Sequence, residues 1–181
     1  LHMFYADGVD KDLRYAVYDG KKVTVEIVDG NGPEINKYED PNRVRTASDV
    51  SVSNACVVTP AGIQVFYRDE SQGVLLGAYK LNTSSKWLYE QLDGDRKTDG
   101  RTTGDVAFHL AAGFDGKKTY VLYDSVLVIN QKKEATSGAI RLATRTDIDP
   151  TKWVYRTLEE SSDSLAMTGY DVALSVNTKG A

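Results

Sequence analysis

One segment of this chain returns twice. Arg45-Thr-Ala-Ser-Asp49-Val-Ser-Val52 reappears as Arg101-Thr-Thr-Gly-Asp105-Val-Ala-Phe108, and again, with one extra residue, as Met167-Thr-Gly-Tyr-Asp171-Val-Ala-Leu174. Internal repetition constrains a fold more than any other sequence signal. Each copy must be one supersecondary unit that buries its apolar faces by stacking on the next. Here each Asp-Val pair opens a short apolar strand.

The rest of the unit follows from the same alignment. Ile63-Gln-Val-Phe-Tyr67 matches Thr119-Tyr-Val-Leu-Tyr123 as a second strand, and Val74 to Tyr79 and Ala139 to Thr144 are third strands. Lys86-Trp87-Leu-Tyr-Glu-Gln-Leu92 and Lys152-Trp153-Val-Tyr-Arg-Thr-Leu158 are fourth strands. These stretches are short, alternating and rich in β-branched and aromatic residues, with Gly, Asn, Asp and Pro between them. The N-terminal part enters the pattern in the middle: His2 to Tyr5 is a second strand, Leu13 to Tyr18 a third and Val23 to Val28 a fourth. Residues 171–181 supply a first strand, so the two ends hold complementary parts of one unit. The units span roughly 171–181 with 1–30, then 49–94, then 105–160.

Four-stranded antiparallel units stacked radially make a β-propeller, with Trp87, Trp153 and the tyrosines filling the space between blades. Propellers close with about four to eight blades, so three leave the ring incomplete. A homodimer completes it to six if each split blade takes its inner strand from the partner; further blades of a longer parent chain are the alternative. In blade pattern the chain resembles the propeller lectins and the sialidase-like propellers, including a fucose-binding lectin family whose short subunits assemble into a six-blade ring. That resemblance implies an all-β ring that binds glycans. Such lectins carry an Arg on the second strand and a Glu on the third, facing a Trp of the next blade. Ile63 to Tyr67 and Val74 to Tyr79 hold neither charge, and no Ser-x-Asp-x-Gly-x-x-Trp box occurs, so no binding residue carries over.

Charge and composition exclude several classes. The net charge is -4 with acidic and basic residues interspersed, which lacks the basic footprint that nucleic-acid binding requires. No apolar run approaches the ~20 residues of a membrane helix. The single cysteine, Cys56, rules out an internal disulfide and any multi-cysteine zinc site, and its apolar neighbours predict a buried thiol. His2 and His109 are the only histidines, and no nucleophile elbow, phosphate loop or paired-histidine zinc motif is present. His109, inside an inner strand, reads as a hydrogen-bonded core or channel residue.

Polar residues gather where the fourth-to-first and second-to-third loops share one face. Arg45 and Asp49, Arg101 and Asp105, and Asp171 lead into first strands, while Asp7, Asp69 and Asp124 follow the tyrosines that end second strands. Asp at a strand start also fixes turns by accepting backbone N–H groups, and repetition in every unit favours that role. Asp29-Gly-Asn31-Gly32 and Asp93-Gly-Asp95 to Asp99-Gly100 offer the alternating oxygens of a calcium loop, without the closing Glu of an EF-hand; Asx-type turns explain them as well. Residues Val126 to Ala135 insert on the same face, as a long hairpin or flap apolar at its base and charged at its tip, or as packing for a neighbouring blade.

The reading that follows is a non-enzymatic, lectin-like binding propeller, secreted or at the cell surface, taking a glycan or protein on the face with Arg45, Asp49, Asp69, Arg101, Asp105, Asp124 and Asp171. No catalytic residue and no cofactor is assigned beyond the calcium loops. Two alternatives stand beside it: a glycosidase-like enzyme using two of Asp49, Asp69, Asp105 and Asp124, because hydrolysis needs only two carboxylates across a cleft, and a structural module of a larger surface protein.

Overall fold

The computed structural model describes residues 1–30, 49–50, 52–94, 99–103, 105–128, 135–146, 148–149, 152–161, 168 and 171–177. These form three antiparallel sheets with no α-helix among the described residues. The first sheet joins β1 (His2–Ala6), β2 (Leu13–Tyr18) and β3 (Val23–Asp29) in chain order. The second joins β4 (Asn54–Thr59), β5 (Gly62–Asp69), β6 (Val74–Leu81) and β7 (Leu88–Asp93). The third joins β8 (Asp105–Phe114), β9 (Thr119–Val128), β10 (Ala135–Arg145) and β11 (Val154–Ser161). Each sheet is an open meander of neighbours in sequence, and none closes on itself.

Strand register makes the repeat residue-specific. Tyr5 lies opposite Arg14, Tyr67 opposite Leu76 and Tyr123 opposite Arg141. The register between the last two strands of every sheet then slips at one place: between Leu13 and Arg14, Leu75 and Leu76, and Ile140 and Arg141. The slip leaves out Val28, Leu92 and Leu158, bulged residues at matching positions, where a bulge bends the strand and adds twist.

The sheets stack through two cores. One gathers Leu13, Tyr15 and Val28 with Val65, Tyr67, Leu76 and Tyr89; the other gathers Phe66, Leu75 and Leu92 with Val106, Val121, Tyr123 and Trp153. The same pair of hydrogen bonds closes each junction. Tyr67 donates to Asp29 Oδ2 at 2.7 Å and Tyr89 to the Val28 carbonyl, while Tyr123 donates to Asp93 Oδ2 at 2.6 Å and Tyr155 to the Leu92 carbonyl at 2.7 Å. The aromatic residues therefore fill the space between sheets, as the repeat implies.

Several expectations are refined. In the second sheet the ladder begins at Asn54, so Asp49 and Val50 precede it, whereas Asp105 does open β8. The insertion lengthens the β9–β10 hairpin, with Val128 opposite Ala135; its tip lies outside the described residues. Cys56 is exposed rather than buried. It points, with Val58, from β4 toward the side of the first sheet, where no inner strand among the described residues covers it. Residues 171–177 join no ladder: Val172, Leu174 and Val176 are half-buried between exposed neighbours, and Val176 lies against Gly113 of β8. Within one chain, then, residues 172–177 pack on the third sheet and do not pair with β1.

Candidate functional site

The expected polar face resolves into a scaffold and one exposed ledge. Asp7 and Asp69 belong to the scaffold. Oδ1 of Asp7 accepts the Val9 and Asp10 N–H groups, and Oδ1 of Asp69 those of Ser71 and Gln72. The two turns end alike, at Lys11 and Gly73 with φ of 63° and 68°, and their carbonyls accept the N–H of Val50, ahead of the second sheet, and of Val106, in the third. These aspartates set the turns that tie one sheet to the next.

Asp93 is a hub for four donors: Tyr123 Oη at 2.6 Å, Arg141 Nε at 3.0 Å, and the N–H groups of Gly94 at 2.8 Å and Thr102 at 2.6 Å. Burial first, and then the Asp93 charge, push the Tyr123 hydroxyl well above its ordinary pKa. Asp29 holds Tyr67 and the Gly30 N–H in the same manner. The two aspartates that would begin calcium loops are thus engaged at the junctions, and the remainder of both loops lies largely outside the described residues. The Arg101 side chain is 7% exposed, beside Tyr155 and with Nε 3.4 Å from Asp99. Asp171 is exposed and accepts the Val172 N–H; Arg45 lies outside the described residues.

The strand-one aspartates meet cations of the preceding sheet, Asp49 pairing with Lys11 at 3.2 Å and Asp105 lying 3.7 Å from Arg68. Around Asp105 the structure departs from the repeat. In β8, Val106 faces Ser125 and Leu110 faces Tyr123, so Ala107, Phe108 and His109 stand opposite Asp124 alone. Ala107 takes φ 63°, a left-handed conformation that a side-chain-bearing residue adopts at a cost and holds only when its surroundings demand it. The surroundings do. Asp124, buried, accepts the His109 N–H at 3.0 Å and the Nδ1–H at 3.1 Å, and buried Arg68 donates to the Val106 carbonyl at 2.5 Å and to Glu70 at 2.8 Å.

The bulge holds two side chains partly in solvent. Phe108 is 36% exposed, with the Arg68 guanidinium 3.8 Å from its ring centroid, a cation–π contact that fixes the ring. The His109 side chain is 43% exposed. With Nδ1 engaged by the carboxylate, Nε2 is the ring nitrogen left for a hydrogen bond to a ligand. This ledge offers an apolar ring, an oriented imidazole nitrogen and the half-exposed carboxylate of Asp105.

The ledge therefore includes two of the residues expected from sequence, Asp105 and Asp124, and adds Arg68, Phe108 and His109. Arg68 was within reach of the sequence, one residue beyond Tyr67. Spacing also shows that Asp69 and Asp124 are not counterparts, since Asp69 follows its tyrosine by two positions and Asp124 by one; Arg68 and Asp124 share a place. At the opposite end of the sheets a cleft of about 450 Å³ opens between the β4–β5 and β8–β9 turns, lined by Thr59, Gln64, Phe114, Lys117, Thr119 and Ile148 among others. Gln64 there is already bonded to Thr119 at 3.3 Å and to Arg145 at 2.7 Å.

Fold and site together define an all-β protein of stacked antiparallel sheets with one aromatic and polar ledge on a strained bulge. The chain matches no family model, no curated protein and no solved structure.

Proposed function

We propose that this protein is a non-enzymatic binding module of propeller type, its sheets acting as blades, which recognises a glycan at the Phe108–His109 ledge outside the cell or at its surface. One observation carries the reading. The described aspartates of that face cap turns or pair with cations, whereas Phe108 and His109 are held rigid and part-exposed by Arg68 and Asp124. Preorganised aromatic and hydrogen-bonding groups favour binding, because little side-chain freedom remains to be lost. The C–H face of a sugar ring packs on an aromatic ring while its hydroxyls reach His109 and Asp105.

Hydrolysis would call on two carboxylates free to act as acid and as base or nucleophile. Asp124 is tied to His109 and Asp69 is buried in its turn, which makes the glycosidase reading the weaker one.

A glycan array followed by calorimetric titration tests the proposal. Phe108→Ala and His109→Ala should each weaken binding at least ten-fold with the β-sheet circular dichroism retained, and Asp105→Ala and Asp124→Ala should follow, because they hold the ledge. Phe114→Ala and Lys117→Ala, in the opposite cleft, should bind as the parent does. Unchanged binding in the ledge variants would move the site elsewhere, and release of reducing sugar would reinstate the hydrolase. Binding to a protein but to no glycan would assign the other ligand class.

A further inference from the structure

We propose that a second copy of this chain docks its third sheet against the free face of the first sheet, the carboxylate of Glu159 from one copy receiving Tyr5 and Arg14 of the other. The inference rests on the stacked-sheet reading above and not on the identity of the ligand.

At the junction between the second and third sheets, Asp93 takes the Tyr123 hydroxyl and Arg141 Nε. Strand register places Tyr5 and Arg14 of the first sheet where Tyr123 and Arg141 stand in the third. Neither is fully satisfied there. Tyr5 is 40% exposed, against 0% for Tyr67 and Tyr123, and has no hydrogen-bond partner among the described residues; Arg14 holds Asp7 at 2.5 Å, Asp10 at 3.5 Å and Asp12 at 4.0 Å through Nη2, and only its buried Nε is left without an acceptor. The matching acid is Glu159, opposite Ile140 as Asp93 is opposite Leu75 and Asp29 opposite Leu13. It is exposed on β11.

The apolar positions tell the same story. Val28 and Leu92, the bulged residues of the first two sheets, are 0% exposed beneath the next sheet, while Leu158 at the same position is 55% exposed beside exposed Val154. Val23 and Val25, at the positions of Trp87 and Tyr89, are likewise exposed on the free face of the first sheet. On one face lie a tyrosine hydroxyl and an arginine Nε without acceptors, and on the other a carboxylate without a donor among the described residues, each flanked by exposed apolar residues.

The docking also explains the edge of β1 and the exposure of Cys56. The partner's residues 172–177, extended and in no ladder, can add to β1 as an inner strand that the first sheet does not have among the described residues, a strand addition held by backbone hydrogen bonds. Such a strand would cover Cys56 and Val58, as β8 packs on the second sheet through Ala112 and Phe114, the residues at the same positions. Two copies joined head to tail at both seams make a closed pair.

Sedimentation velocity over a dilution series, with thiol alkylation of Cys56 at each concentration, tests this. The parent should sediment as two chains of 19.9 kDa with Cys56 protected. Glu159→Arg should weaken association at least ten-fold and expose the thiol, and Arg14→Glu added to it should recover most of the loss. Leu158→Asp is a second disruption, made on a surface strand and independent of the charge pair. A parent that stays monomeric at every concentration, or a dimer that resists Glu159→Arg and Leu158→Asp, would overturn the proposal. The ledge lies within one chain, so glycan binding by the monomeric Glu159→Arg variant would show that the binding reading stands or falls separately.

Discussion

The two junctions between sheets carry an ion pair at the same place in the repeat, and only one is buried. Glu26 meets Lys80 at 2.5 Å between the first and second sheets with side chains 40% and 23% exposed; Glu90 meets Arg145 at 2.9 Å between the second and third at 2% and 1%. The difference originates in one residue. Tyr15, opposite Phe4, packs on Trp87 at 5.3 Å and on Phe4 at 4.9 Å, and Lys80 stays 5.5 Å above the indole. At the second junction its counterpart is Gly77, opposite Phe66, and the space left is taken by Glu90. Arg145 then descends to 4.3 Å over Trp153, whose Nε1 donates to Glu90 at 3.0 Å, whereas Trp87 Nε1 is buried without an acceptor. An aromatic ring turns the pair outward, and a glycine lets it in.

Removing one cation from each pair should expose that difference most strongly. Arg145→Ala leaves a buried carboxylate unpaired and should cost about 3–5 kcal/mol. Lys80→Ala removes a solvent-screened partner and should cost about 1 kcal/mol or less. Urea unfolding of both variants measures it, and equal losses would mean that burial does not separate the junctions. Next in size is the residue that makes the difference. A Cβ on Gly77 would come 2.9 Å from Leu92 and 3.1 Å from Glu90, so Gly77→Ala should cost about 1–3 kcal/mol through overpacking. Tyr15→Phe keeps the ring and loses only the 2.6 Å contact with His2, and should cost about 1 kcal/mol or less.

The buried pair should also mark the pH dependence. Burial pushes the Glu90 carboxyl above its usual 4.5, with Arg145 and Trp153 opposing. The folded state then binds more protons than the unfolded one in that window. The Glu90 contribution is therefore greatest at low pH and declines as pH rises from about 4.5 through the raised folded value. Asp7, Asp19 and Asp115 slope the other way, because backbone N–H groups at their turns hold each below 3.8. Their stabilisation is present above that value and lost as pH falls. Denaturant unfolding of the parent and of Glu90→Gln from pH 4 to 8 separates the two, and the variant should lack the decline. A variant profile parallel to the parent's would place the decline elsewhere.

These contrasts show what a sequence of this kind makes legible. Strand order and the aromatic junctions follow from the repeat, because alternation is local; the turn caps at Asp7 and Asp69 do not, since the sequence argues that role for the aspartates at strand starts. The bulge at Ala107 does not, since φ 63° there depends on Arg68 and Asp124 reaching it from other strands. Burial of Cys56 was misread for a related reason. Its neighbours Val57 and Val58 suggest a core, but Val57 faces the third sheet while Cys56 and Val58 face a side with no inner strand among the described residues. Repetition also hid the difference between the two ion pairs: Tyr15 and Gly77 occupy one place in register with opposite consequences.

The smallest expected effect concerns a third contact of the same kind. Gly113 occupies on β8 the place that Val57 holds on β4, opposite Tyr120 as Val57 is opposite Gln64. Val57 is sealed into the second core, and Val57→Ala should cost about 1–3 kcal/mol. Gly113 instead faces Val176, whose stiff branched side chain leaves no space for a methyl group there. Gly113→Ala should therefore lift residues 172–177 off the third sheet, with faster amide exchange in that segment and a change in global stability within about 0.5 kcal/mol. A loss above about 1 kcal/mol with the exchange unaltered would show the segment to be as firmly packed as β8 is on β4, and so unavailable for strand addition to another copy. A segment that lifts at little cost is one whose main partner can lie elsewhere, because releasing it from β8 would take little from the association that pairs it with β1.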